Sequence, residues 1–387
     1  MLRNIKILVL GTGKVSKGIV YDLSRSDEVS EICVASRNPQ KSWIRSMGDK
    51  VITREVDASK KDQLANLMKQ GFDVVIDALT YQYIPNIVTV AIESGVHCVN
   101  MSSPRRTLRL GLKEAAENAG ITIVPGIGFD PGIDKVCMGY GARKVGKVLA
   151  IHQWAGGFPQ KNVKTNPLNY KITWSWDTCI ETYEGKAKII RDGRIIEVDK
   201  FEDPEIIWFP YPIGTVEAYY NWYPDTTIEE LGLTGIREAW EKTVRWLGHC
   251  DMWKKLIALN FTSREPLIVG NCKISPRDFL VAWGNKYLQY EKGEGDAVVL
   301  RVEVIGEEDV YRYEMMDFYN EKEDLTAMAR TTGFPASIVA QMIARGEIKE
   351  KGILDPGKLG WDLEIAKKFF SELAKRGIYV YEMSRIA

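Results

Sequence analysis

The turn Gly11-Thr12-Gly13 lies between the apolar run IKILVL and the amphipathic stretch VSKGIVYDL, and it has the make-up of a phosphate cradle. Its first glycine permits a tight turn. Its second lets the backbone approach a pyrophosphate, which the N–H groups opening the next helix, here at Lys14 and Val15, can hold. Ser16 stands at the third glycine position of the usual fingerprint, with Gly18 two residues on. Serine is small enough for close helix–strand packing, so dinucleotide binding is favoured over a plain strand–helix turn. Segment CVASRNPQK then places Ser36 and Arg37 where a site for NAD(H) carries Asp or Glu. A hydroxyl and a guanidinium bind a 2′-phosphate that a carboxylate would repel, which predicts NADP(H) over NAD(H). The bland alternative is a solvated Arg37. Asp57, in EVDAS, either touches adenine or caps a helix. Ala78-Leu79-Thr80 follows a strand and is expected at the sheet edge beside the cofactor.

Further along, GFDPGIDK (128–135) follows the strand-like ITIVP, and ligands of open α/β sheets bind beyond the carboxyl ends of the strands. Asp130 has two compatible readings there: an N-cap followed by proline at the first helical position, or a carboxylate that holds a substrate ammonium or amine. Arg245 sits in the strand-like KTVRWLGH (242–249), where an arginine is expensive to bury without a partner. A substrate carboxylate is one such partner; Glu217 or Glu241 would be the structural one. His249 is either a second polar wall or a turn residue after Gly248, the latter being the simpler reading. Tyr170 and Lys171, in NPLNYKITWS (166–175), are the candidate proton movers. Neither titrates near neutrality unless perturbed, and on an extended stretch only one can face a cleft. The alternative is a packed Tyr170 and a solvated Lys171. Trp174 and Trp176 are expected to wall the site or an interface.

These residues need a scaffold. Up to residue 126, apolar runs at 5–10, 32–35, 73–79, 97–101 and 121–125 alternate with stretches of helical spacing at 14–26, 60–70, 85–94 and 107–119. That rhythm predicts an α/β Rossmann fold, a doubly wound parallel sheet. After Gly132 the chain turns β-rich and aromatic, as in KVLAIHQWAG, EIIWFPY, TVEAYYNW, AVVLRVEVIG and VYRYEMMDFY. Its clearest helix is expected at 276–290, with Ser275-Pro276 as start signal and GEED (306–309) as a hairpin turn. This predicts a second, mixed α/β domain, and from Thr326 the sequence is helical again.

The 387 residues contain 52 Lys+Arg and 52 Asp+Glu, a balance that argues against a nucleic-acid backbone binder. No apolar run approaches membrane-spanning length, and the short N-terminal one reads as a first strand, not a leader. Six scattered cysteines without C-x-x-C spacing read as reduced thiols of a cytoplasmic protein. Three distant histidines give no zinc signature, so no metal is expected.

Together LGTGKVSKG, GFDPGIDK, NPLNYKITWS, KTVRWLGH and MARTTGFPASIVAQMIARGEIKEKG (328–352) make the chain resemble the saccharopine dehydrogenase family along nearly its whole length. The resemblance implies a discontinuous Rossmann domain, residues 1–126 completed by helices at about 340–387. It also implies a substrate-binding domain at 127–339 that forms a homodimer through its sheet. The chemistry implied is hydride transfer between nicotinamide and a carbon bonded to nitrogen in an amino acid. Two branches fit. Asp-Pro-Gly and the absence of an acidic residue after the second strand favour the NADP-using saccharopine reductases, which join allysine to glutamate. RWLGH ending in His249, and Lys135 where reductases commonly carry His, lean toward lysine 6-dehydrogenases, which deaminate the lysine ε-amine. Saccharopine carries three carboxylates, so Arg105, Arg106 and Lys135 join Arg245 as candidate cationic anchors. A non-catalytic NADP sensor or scaffold is the reading from another class.

Overall fold

The computed structural model describes residues 4–102, 106–161, 166–202 and 204–386. The chain divides into two compact units. The first comprises Met1–Gly146, Asp225–Leu233 and Ala329–Val380; the second comprises Lys147–Pro224, Thr234–Met328 and Tyr381–Ala387.

The first unit is the doubly wound layer expected from the sequence. Its strands β1 (Ile5–Leu10), β2 (Val29–Ser36), β3 (Val51–Glu55), β4 (Val74–Asp77), β5 (His97–Asn100) and β6 (Thr122–Pro125) are all parallel. A seventh, Gly352–Ile353, pairs parallel with β6, so the sheet order is that late strand, then β6, β5, β4, β1, β2 and β3. The order reverses at β1, which puts the switch point of the winding at the Gly11 turn. The strand VITRE was not among the apolar runs, because as the edge strand beside β2 it is only half covered.

Glycines decide how the late helices join this sheet. A Cβ on Gly18 would lie 2.2 Å from the carbonyl oxygen of Ala329, and one on Gly333 would lie 3.0 Å from that of Val15. Gly18 is therefore the contact of the helix Lys14–Ser24 with the helix Ala327–Ala344. The same device recurs between Ile133–Val145 and Pro356–Trp361, where a Cβ on Gly139 would meet the Gly357 oxygen at 1.9 Å and one on Gly360 the Val136 oxygen at 2.0 Å. Asp22 adds a polar tie, accepting hydrogen bonds from Ser337 Oγ at 2.6 Å and Arg376 Nε at 2.5 Å.

The second unit is built on a mixed nine-stranded sheet. Its main path runs Glu205–Phe209, Gly214–Trp222, Glu238–Arg245, Ala150–Pro159, Asp296–Ile305, Asp309–Phe318 and Tyr381–Ile386. The hairpin at GEED forms as expected, with Ile305 opposite Val310. The helix starting at Pro276 also forms, capped by Ser275 Oγ, which accepts from the Asp278 N–H at 3.0 Å. An aromatic cluster accompanies the sheet: Tyr170, Trp176, Tyr183, Phe201, Tyr219 and Trp253 are buried together with Cys179 and Cys250. Trp176 is thus core, its ring stacked on Tyr170 at 5.6 Å between centroids.

Backbone-to-backbone contact through glycine leaves no flexible atom to yield. Gly139→Ala should therefore lower the unfolding free energy by about 1–3 kcal/mol. Gly111→Ala, in a helix where an added Cβ meets nothing within 4 Å, should be neutral or raise it by up to about 1 kcal/mol. Urea titration of both variants checks the contrast.

Candidate functional site

At the carboxyl end of the first sheet, Gly11 has φ +113°, a conformation glycine alone adopts readily, and a Cβ there would meet the Ala78 oxygen at 3.0 Å and Leu79 at 3.3 Å. Gly13 is the N-cap of the helix Lys14–Ser24; no side chain caps it and no acidic residue lies in the first turn. A Cβ on Gly13 meets nothing within 4 Å. Open space above an uncapped helix start is what a diphosphate requires. Thr12 Oγ1 lies 3.5 Å from Ser36 Oγ, which accepts the Asn38 N–H at 3.2 Å, and Arg37 is exposed beside them. Cradle and 2′-phosphate candidates therefore share one sheet edge.

Asp57 does not cap the next helix. The N-cap is Lys60, while the carboxylate of Asp57 accepts from the amide and hydroxyl of Ser59, which hold it below the ordinary carboxylate range. No motif points to Asp77, the residue before the Ala78-Leu79 turn. This carboxylate is buried at the end of β4, accepting from Leu79 N–H and Asn100 Nδ2, both at 2.9 Å. Burial raises its pKa to about 6. The pair fixes the Ala78-Leu79 turn that packs on Gly11.

Asp130 lies in the loop joining β6 to the helix Ile133–Val145. The N-cap reading of this residue is corrected: the N-cap is Gly132, at φ +145°, and Asp134 Oδ1 accepts the Gly132 N–H at 2.5 Å. The chain doubles back so tightly that a Cβ on Gly132 would fall 2.1 Å from the Gly128 oxygen. That is the reason for the glycine in Asp-Pro-Gly, and it holds Asp130 at the loop tip, partly exposed. Lys135 is not available as an anchor. It is buried, with Nζ 2.7 Å from Thr226 Oγ1 and 3.2 Å from Asp355 Oδ2. Arg105 and the side chain of Arg106 lie outside the described residues.

In the second unit, Arg245 ends the strand Glu238–Arg245 and is 3% exposed. Nη1 donates to the Val244 carbonyl at 2.9 Å and Nη2 to Tyr183 Oη at 3.5 Å, while Cζ stands 5.1 Å from the centre of the Tyr170 ring. Nε has no partner, and no carboxylate pairs with this guanidinium among the described residues. The structural partners considered from sequence are engaged elsewhere: Glu217 Oε1 accepts the Cys250 N–H at 2.7 Å, and Glu241 Oε1 accepts from Asn221 Nδ2 at 2.7 Å.

His249 is not a turn residue. It is fully buried at the start of the helix His249–Ala258, with Nδ1 2.6 Å from the Leu168 carbonyl and Nε2 3.1 Å from Tyr183 Oη. Burial, then the Arg245 charge, lower its pKa to about 3. The expected alternation of Tyr170 and Lys171 fails, because 166–175 is not a strand. Asn166 ties the stretch into a turn, accepting from Leu168 N–H at 2.9 Å and donating to the Tyr170 carbonyl at 2.7 Å. Both side chains are consequently buried. Tyr170 Oη is 3.3 Å from Thr173 Oγ1, and burial raises its pKa, away from what proton transfer at neutral pH asks. The Lys171 ammonium is paired with Glu294. Sequence reasoning missed Cys179 and Tyr183, which carry no motif.

Among the described residues no group of side chains could hold a metal ion, and no helix is long and apolar enough to cross a membrane. Residues 7–124 match the family model of the saccharopine dehydrogenase NADP binding domain, and 128–378 that of the saccharopine dehydrogenase C-terminal domain. The chain is 26% identical over 454 residues to the NADP(+), L-glutamate-forming saccharopine dehydrogenase of Saccharomyces cerevisiae, covering 97% of this chain and 98% of that protein. It is 24% identical over 421 residues to the mitochondrial alpha-aminoadipic semialdehyde synthase of Bos taurus, covering 91% of this chain and 45% of that protein. The fold is similar to that of apo saccharopine dehydrogenase (L-Glu forming) from Saccharomyces cerevisiae, with TM-score 0.82, 24% identity and coverage of 99% and 100%.

Two outcomes follow. With a folded pKa of about 6 against an ordinary 3.8, Asp77 binds its proton more tightly in the native state. Its stabilising effect is complete below pH 3.8 and is lost as pH rises through about 6. Between about pH 4 and about pH 7, cofactor-free Asp77→Asn should gain about 3 kcal/mol on the parent, read by denaturant unfolding at each pH; parallel stability curves would refute the assignment. Arg245→Met removes a buried charge without a counter-charge, so it should leave the melting temperature unchanged or raise it. A drop equivalent to about 3 kcal/mol would mean an internal ion partner.

Proposed function

Because the chain belongs to the saccharopine dehydrogenase family and carries its NADP binding domain, we propose that this NADP-dependent oxidoreductase acts on the C–N bond of saccharopine. In the reductive direction the aldehyde of allysine and the amine of glutamate lose water to form an imine. NADPH supplies the hydride and solvent the proton that convert the imine to the secondary amine. The observation that carries this reading is the buried Arg245 guanidinium, whose Nε has no hydrogen-bond partner and which no carboxylate pairs with among the described residues. A substrate carboxylate supplies the missing charge in a site lined by neutral rings, where a charge-assisted hydrogen bond is strong.

In this reading Gly11, Gly13, Lys14 and Val15 hold the diphosphate, Ser36 and Arg37 the 2′-phosphate, and Ala78 and Leu79 border the cofactor, with Asp57 at the adenine side. Asp130, partly exposed at its loop tip, accepts from the substrate nitrogen. Tyr170 forms the ring wall against Arg245, and His249 takes part through the Tyr183 phenol. Lys171, paired with Glu294, is retained as the proton-moving candidate because it lies next to Tyr170 in the chain. Two further elements complete the proposal. A homodimer is supported by the edge strand Glu205–Phe209, whose Ile206 and Trp208 are 62% and 59% exposed. A cytoplasmic setting is supported by six cysteines that are all free thiols.

Oxidative deamination of the lysine ε-amine is the second reading, favoured by one feature, the buried His249 at the end of RWLGH. Glutamate separates the two. NADPH oxidation with allysine should require glutamate, and saccharopine should reduce NADP. Reduction of NADP by lysine without glutamate would replace the first reading with the second. Arg37→Asp should shift the kcat/KM ratio from NADP toward NAD by at least about tenfold, the equivalent of one charge-assisted contact; an unchanged ratio removes Arg37 from the 2′-phosphate site.

A further inference from the structure

Three buried groups around Arg245 form a chain of hydrogen bonds whose direction the chemistry fixes. The Leu168 carbonyl can only accept, so His249 Nδ1, 2.6 Å away, carries the hydrogen. His249 is neutral, which leaves Nε2 as a bare acceptor, and Tyr183 Oη at 3.1 Å must donate to it. With its one hydrogen so committed, the Tyr183 oxygen presents only lone pairs to its other neighbours. These are Arg245 Nη2 at 3.5 Å and Cys179 Sγ at 3.2 Å, both donors. Tyr183 is 1% exposed, and its ring is held between Trp253 at 4.4 Å and Phe201 at 5.9 Å, centroid to centroid. A phenol free to rotate its hydrogen could point it at the guanidinium and push it away; this one cannot.

We propose that Tyr183, with its hydrogen locked toward His249, is the positioning residue that aims the Arg245 guanidinium so that Nε faces the incoming carboxylate. This rests on the reading of Arg245 as the carboxylate anchor. Tyr183 and His249 act through Arg245 and transfer no proton, and the function of His249 is to remain an acceptor.

A double-mutant cycle on the NADP-loaded full chain tests it, with saccharopine and, separately, lysine as substrate and melting temperature recorded for each variant. Tyr183→Phe should raise KM for the amino acid by about tenfold to a hundredfold, the range of one hydrogen bond to a charged group. KM for NADP and kcat should change less than about threefold, which a loosened fold would not respect. In an Arg245→Met background the same substitution should change KM by less than about twofold. An equal effect in both backgrounds, or none in the parent, overturns the proposal. An Arg245→Met variant with unchanged KM instead overturns the anchor reading on which it stands, and absence of turnover with both substrates does the same. Should Tyr183→Phe not fold, His249→Gln and His249→Leu decide the matter. Glutamine keeps one donor and one acceptor and should retain a KM close to the parent, whereas leucine keeps neither and should show the raised value; equal KM values for the two overturn the proposal.

Discussion

A guanidinium buried in a folded protein without an ion-paired carboxylate among the described residues, although Glu217 lies opposite it across the strands, is the constraint around which the second unit is arranged. Desolvation of such a charge costs several kcal/mol unless a partner offsets it. Here the groups that could have done so are spent elsewhere: Glu217 accepts from the Cys250 amide and Glu241 from Asn221. Around Arg245 stand phenols and an imidazole that burial keeps neutral at physiological pH, raising the tyrosines and lowering His249. Neutral dipoles and ring faces keep the cation tolerable and leave its charge unspent. In the proposed function, a carboxylate arriving from solution would meet a cation that no carboxylate pairs with among the described residues.

The first unit, which matches the NADP binding domain of the family, faces a different problem, that of letting a highly charged cofactor approach backbone. Its solution is subtraction of side chains. Gly11 lets the Ala78-Leu79 turn approach, Gly13 leaves the helix start open, and Gly132 folds the Asp130 loop back on itself. The same subtraction at Gly18, Gly139, Gly333 and Gly360 lets late helices press on early ones, so that chain from 329 to 380 completes a unit begun at the N-terminus. The open Gly11-Thr12-Gly13 turn and the helix contacts thus draw on one device, and Gly18 serves the second although it lies inside the motif of the first.

Much of this was legible in the sequence. Continuous apolar runs marked the buried parallel strands, and Gly-x-Gly marked the tight turn between the first strand and its helix. Ser275-Pro276 marked a helix start. What failed did so for physical reasons. VITRE is an edge strand and lacks a buried strand's pattern. Asp-Pro is a common helix start, which suggests Asp130 as a cap, but the doubled-back loop makes Gly132 the N-cap, its N–H held by Asp134. NPLNYKITWS was read as extended, yet an Asn166 side-chain turn inside it buries two neighbouring residues at once. The buried Asp77–Asn100 pair and the Tyr183–His249 pair are contacts between residues far apart in the chain, and local pattern carries no trace of them.

The central claim is that Arg245 lacks an internal counter-charge because a substrate carboxylate supplies it. A crystal structure with NADP and saccharopine bound tests this most directly. The account predicts a carboxylate oxygen at about 2.7–2.9 Å from Arg245 Nε, the length of a charge-assisted hydrogen bond. Saccharopine bound with no oxygen in hydrogen-bonding reach of that nitrogen would contradict it.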